Sequence, residues 1–152
     1  MSAAAAGWRR AGATVTFVLA MDQATKALIT SSLERGESVR VFYGLELTNT
    51  RNTGVAFGAL EGSGTIVGAL IAVVLVFLIA YFALHAARRW LWLPVGMLLG
   101  GATGNLVDRV REGAVIDFID PVAWPAFNVA DMAIVGGVAA LLYLLEATPS
   151  ER

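Results

Sequence analysis

The sequence predicts an all-α membrane protein: four transmembrane helices with a small extracytoplasmic β-sheet between helices 1 and 2. Three observations carry this. Of 152 residues, 57% are apolar and 15% charged, against about 25% charged in an ordinary soluble chain, and the mean hydropathy is +0.69. The run Gly62 to Ala87 holds no Asp, Glu, Lys or Arg. A soluble core helix of that length keeps a polar face, whereas about 20 apolar residues cross a bilayer. Three further apolar stretches of comparable length flank this run.

The first span is expected from about Ala11 to Ser32, interrupted by Asp22 and Lys26. The second covers about Gly64 to Ala86, the third Leu91 to Val107, and the fourth Phe127 to Leu145. Between the first two, RVFYGLELTNTRNTGVAFG reads as short strands at Val41 to Tyr43, Leu45 to Thr48 and Val55 to Phe57, broken by Gly44 and Asn52-Thr53-Gly54. Residues 1–8 are expected to be disordered. Arg9-Arg10, Arg88-Arg89 and Arg152 mark cytoplasmic positions by the positive-inside rule, which puts both termini inside. The same Arg9-Arg10 start could belong to a signal peptide, but no A-x-A cleavage site follows it. Trp90, Trp92 and Trp124 fit interfacial anchors.

Composition also excludes chemistry. A net charge of −1 gives no electrostatic reason to bind nucleic acid. Without cysteine there is no disulfide or thiolate, and a single histidine, His85, argues against a zinc site or a His-dependent triad. Carboxylates, amides and hydroxyls remain, and they are concentrated in GNLVDRVREGAVIDFIDP, Gly104 to Pro121, between two apolar runs.

Polar groups in apolar segments are expensive and need a reason. Asp22 and Lys26, four apart, share a helix face, and the favoured reading is a salt bridge that locks the bundle. Gly96, Gly100 and Gly104 form a small-residue face for close helix packing. Asp108 reads as a polar helix end, its charge held by Arg109 or Arg111, and Asp120 before Pro121 reads as a turn residue. Asp117, in AVIDFI, has no cation beside it. Asp131 opens the fourth span. Two poorly solvated carboxylates that share a site cannot both ionise easily, so one keeps a proton. On spacing alone, a catalytic pair and a pair of helix or turn caps stand level.

Five short pieces in order resemble the lipoprotein signal peptidase (signal peptidase II) family: DQATK at Asp22 to Lys26, NTGVAFG at Asn52 to Gly58, GNLVDR at Gly104 to Arg109, VIDF at Val115 to Phe118, and FNVAD at Phe127 to Asp131. The resemblance spans Asp22 to Leu145. It implies one integral-membrane domain of the bacterial inner membrane, an aspartic endopeptidase with its site near the outer face. Its substrates would be diacylglyceryl-modified prolipoproteins, cut before the lipidated cysteine. The catalytic pair maps onto Asp117 and Asp131, and substrate-binding residues onto Asn52, Asn105, Arg109 and Asn128. Asp22, Lys26, Gly54 and Asp108 would support the site. No metal and no cofactor is implied; membrane lipid is an expected partner, nucleic acid is not, and a monomer is expected. Rival readings are an ion-coupled transporter using the same acids as relays and a non-catalytic assembly factor.

Overall fold

A computed structural model describes residues 2–54, 64–121 and 123–146. Its elements run α1 (Ala3–Ser32), β1 (Ser38–Phe42), β2 (Leu45–Asn52), α2 (Gly64–His85), α3 (Trp92–Glu112), β3 (Val115–Pro121) and α4 (Val129–Glu146). At 1.5 Å per residue α1 is about 45 Å long, and the other three helices about 27–33 Å, close to the thickness of a bilayer core. Among the described residues, Val129–Glu146 is the one helix long and apolar enough by itself to cross a membrane, and Ala69–His85 is a shorter apolar stretch. The outward faces of α1, α2 and α4 expose large apolar side chains, among them Leu28, Phe77, Leu84, Val135 and Tyr143.

α3 is the centre of the bundle, packing against α1, α4 and, less extensively, α2. Its glycines explain how. A Cβ on Gly96 or Gly100 would run into Thr14 and Val18 of α1, and one on Gly101 would come within 2.5 Å of the Ala130 carbonyl of α4. The expected small-residue face is therefore consumed inside the chain, against α1, while the adjacent Gly101 admits α4.

Several expectations need correction. The N-terminal residues are helical: α1 starts at Ala3, and the Ser2 hydroxyl caps it by accepting from the Ala5 N–H. A hydroxyl that satisfies an orphan donor is enough to start an alanine-rich helix. The sheet is not confined to the segment between helices 1 and 2. Its order is β1-β2-β3, antiparallel throughout, and the third strand comes from the α3–α4 connection. β2 runs on to Asn52 and pairs along its length with β3, Asn52 opposite Val115 and Glu46 opposite Asp120. Asp120 is thus a strand residue rather than a turn. α3 continues past Val107 to Glu112 and stops at Gly113, whose φ of +72° only glycine adopts readily. The expected strand Val55 to Phe57 lies outside the described residues.

Candidate active site

Four of the elements converge on one polar cluster, and a fifth, β2, brings Asn52 to its edge. α1 supplies Asp22, Gln23 and Lys26; α3 supplies Asn105 and Asp108; β3 supplies Asp117; Asn128 and the first turn of α4 supply the rest. Apart from Gln23 and Asp131, which are partly exposed, and Asn52 at the edge, these side chains are buried. Among the described residues no buried side-chain nitrogen or oxygen lacks a partner.

The α1–α3 half is ionic. Lys26 Nζ lies 2.9 Å from Asp22 Oδ2 and 2.6 Å from Asp108 Oδ2. Asp108 is therefore held by Lys26 and not by Arg109 or Arg111 as the sequence suggested. Arg109 is turned about 100° round α3 from Asp108 and donates to the Asn105 carbonyl instead, while Arg111 is exposed. Gln23 Nε2 donates to both carboxylates, at 3.1 Å to Asp22 and 3.0 Å to Asp108. Each acid also reaches a backbone N–H: Asp22 Oδ1 accepts from Ala130 at 3.0 Å, and Asp108 Oδ2 accepts from Ile116 at 3.1 Å. Those two residues immediately precede Asp131 and Asp117. The lysine and its acids thus grip the helix start and the strand that present the other two aspartates.

The second half is held by amides. Asp117 accepts from Asn128 Nδ2 at 2.7 Å on one oxygen and from Asn52 Nδ2 at 2.9 Å on the other. Asn52 is aimed by its own loop: its Oδ1 accepts from the Gly54 N–H at 2.8 Å, and Gly54 stands at φ +84°. A residue with a Cβ would resist that turn. Asp131 accepts from Asn105 Nδ2 at 2.8 Å and from the Asn128 backbone N–H at 3.3 Å, while Asn128 Oδ1 takes the Asp131 N–H at 2.9 Å. That reciprocal pair is a capping box at the start of α4. Asp131 is accordingly both a cap and a member of the cluster, so the two readings of the sequence were not exclusive. Phe127 delivers Asn128 to the site by pairing with Ile119 of β3, its N–H donating at 2.9 Å to the Ile119 carbonyl.

Asn105 joins the halves. Its Oδ1 accepts from Lys26 Nζ at 3.1 Å and from Asn128 Nδ2 at 3.2 Å. Neither Asp117 nor Asp131 has an ion-pair partner among the described residues. Burial pushes the Asp117 carboxyl upward from its ordinary value; the Asn52 hydrogen bond opposes this, the nearby Asp131 charge adds to it, and Asn128 and the more distant Lys26 oppose it.

Of the candidate residues, the structure gathers Asp22, Lys26, Asn52, Asn105, Asp108, Asp117, Asn128 and Asp131, with Gly54 one contact behind. Arg109 stands apart: its guanidinium donates at 3.2 Å to the Asn105 carbonyl of its own helix. Gln23 is the participant that sequence reasoning overlooked; an amide beside Asp22 in an otherwise apolar helix was the available signal. The described residues contain no group of His, Asp and Glu arranged to hold a metal ion. A cavity of about 530 Å³, lined by Trp124, Phe127, Met132, Val135 and Gly136, opens onto Asp131.

The helical bundle, three-stranded sheet and buried polar cluster are similar to solved structures of bacterial membrane enzymes. Two solved structures of such enzymes superpose with TM-scores of 0.84 and 0.83, each at 32% sequence identity, over 91% and 93% of this chain and 94% and 91% of theirs. The signal peptidase (SPase) II family pattern matches residues 14–146, and the chain belongs to that family. Among relatives, the lipoprotein signal peptidase of Moorella thermoacetica is 44% identical over 89% of this chain and 91% of its own length. That of Halothermothrix orenii is 36% identical over 86% and 91%. The protein is therefore a membrane peptidase of bacterial type.

Proposed function

We propose that the chain is an aspartic endopeptidase that removes the signal peptide from diacylglyceryl-modified prolipoproteins, cutting before the lipidated cysteine. The observation that carries this reading is the pair Asp117 and Asp131, both hydrogen-bonded to Asn128 and neither ion-paired. Carboxylates kept in a fold without a cation are poised to exchange protons. Burial raises the Asp117 carboxyl from its ordinary value, and in this reading the two acids share one proton at rest. Water bound between the two attacks the scissile carbonyl carbon, losing a proton to Asp131 as Asp117 protonates the carbonyl oxygen. Collapse of the tetrahedral diol breaks the C–N bond, returns a proton to Asp117, and passes the other from Asp131 to the leaving amine.

The surroundings fit a substrate that arrives from lipid. The apolar cavity beside Asp131 suits the hydrophobic part of a signal peptide, and the diacylglyceryl chains can stay in the bilayer. Asn52, with Arg109 at the rim, can satisfy the backbone groups of an extended peptide that water no longer reaches, while the buried Asn105 and Asn128 orient the two acids. All four helices span the membrane in this reading, with the arginine-rich end of the bundle in the cytoplasm and the paired acids at the outer face. The protein acts as a monomer, since the glycine face of α3 is already occupied by α1.

Cleavage of a diacylglyceryl-modified prolipoprotein by the purified protein in detergent tests the proposal. Wild type is expected to cut, and Asp117→Asn and Asp131→Asn to lose about 10³-fold or more in rate while melting cooperatively. Folded variants that both still cut would overturn the assignment of the acids. An inactive wild type would overturn the substrate.

A further inference from the structure

The end of the bundle remote from the acids holds a second built cavity. Gly7 and Asp22 stand about 22 Å apart along α1. At the Gly7 level, α1 presses so closely on the end of α2 that a Cβ on Gly7 would collide with the Ala86 carbonyl. Beside that contact lies a cavity of about 560 Å³ whose floor is alanine and glycine and whose wall carries Arg10, Arg88, Arg89, Trp90 and Trp92. Among the described residues no carboxylate lines it.

Its cations are arranged rather than merely present. The Arg10 guanidinium lies 5.9 Å from the Trp92 ring centroid, and that of Arg89 lies 5.8 Å from the Trp90 ring. The two indoles themselves are 5.9 Å apart. Such stacking positions a guanidinium while leaving its N–H groups free to donate. Neither Arg10 nor Arg89 forms an ion pair among the described residues. Arg88 is fixed differently, donating at 2.8 Å to the Leu144 carbonyl in the last turn of α4, and so ties α4 to the cavity wall. Trp90 stands at φ +67°, a left-handed conformation that bulky residues rarely adopt. It is the one non-glycine residue with positive φ among those described, and it sits in this wall.

We propose that this cavity binds the phosphodiester headgroup of an anionic phospholipid. Arg10 and Arg89 would hold the phosphate, and the small-residue floor would accept the glycerol. The pairing follows from charge complementarity: several fixed cations around a concave, carboxylate-free space at a membrane edge suit a bilayer-borne monoanion. The volume lies within the range of ordinary ligand pockets. A neutral zwitterionic headgroup carries its own ammonium, which the arginines would repel. The site is separate from the paired acids and independent of what they cleave.

Full-length protein in detergent, titrated with dioleoyl-phosphatidylglycerol or dioleoyl-phosphatidylcholine and read by native mass spectrometry, tests this. The anionic lipid is expected to bind several-fold more tightly. The double variant Arg10→Gln, Arg89→Gln should lower its affinity about tenfold, and Arg10→Lys, Arg89→Lys should recover part of the loss. Ala6→Phe, which fills the floor and leaves every arginine in place, should also weaken binding. Melting without added lipid confirms that each variant is folded. Equal binding of the two lipids, or undiminished binding by the glutamine variant, would overturn the proposal. So would undiminished binding by the filled cavity, which would mean diffuse surface attraction. Competition by glycerol 1-phosphate at the same concentrations as the lipid would also overturn it, in favour of a free-phosphate site.

Discussion

Four buried or half-buried aspartates lie in one cluster, and the two halves treat the same side chain in opposite ways. Asp22 and Asp108 share a lysine at 2.9 and 2.6 Å and a glutamine between them. Asp117 and Asp131 have only amides and backbone N–H groups. In the first half each carboxylate faces the same ammonium at ion-pair distance, and the groups serve as fixed struts. In the second half the charge is solvated by dipoles alone, and Asp117 is pushed toward its neutral form. Burial alone does not make a carboxylate reactive. Burial without a counter-charge does.

The largest effects separate the halves by readout. Asp117→Asn should remove cleavage, by about 10³-fold or more, and leave the melting temperature near that of wild type. Lys26→Met should do the reverse first: stranding two buried carboxylates costs about 3–5 kcal/mol, seen as a large drop in melting temperature. A Lys26→Met protein as stable as wild type would erase the distinction between strut and reactive pair. Next in size is Gly104→Ala, whose new Cβ would stand 2.5 Å from Asp22 Oδ2. Forcing the strut apart should cost about 1–3 kcal/mol, and activity should fall with stability because Asp22 holds the Ala130 N–H.

Asn52→Ala sharpens the comparison from the other side. It removes a hydrogen bond that opposes the upward shift of Asp117, so the rate should fall about tenfold, the scale of one lost hydrogen bond to a charged group. The alkaline limb of the pH–rate profile should move to higher pH. The smallest effect is on stability against pH. A carboxyl whose folded pKa is raised disfavours the folded state once it ionises. That part of the stability is present at low pH and lost as pH rises through the raised value. Melting temperatures measured across that range should slope downward for wild type and less so for Asp117→Asn. An equal slope in both would show that Asp117 is not the titrating group.

Much of the bundle could be read from residue type. An uncharged run and a glycine every four residues are local signals, and both found their elements. Asp117 stood out for the same reason, a carboxylate in an apolar strand, and the structure brings it to the same cluster as Asp131 through Asn128. What escaped was set by partners distant in sequence. Lys26 reaches Asp108 across the α1–α3 interface, so the nearer Arg109 and Arg111 misled. β3 joins β1 and β2 across the whole of α2 and α3, so the sheet looked like a local loop feature. The helical start at Ala3 rests on the Ser2 cap and on contacts distant in sequence, Gly7 against the Ala86 carbonyl and Trp8 edge-on to Phe82.

The bond from the Ala130 N–H to Asp22 spans 108 residues of chain. During synthesis α1, with Asp22 and Lys26 in place, is made long before the residues that carry Asp131. The network around Asp131 is therefore complete only once α4 has met α1 and α3. In the proposed reading, proteolytic competence is a property of the completed fold, since the network around Asp131 needs α1, α3 and α4 together.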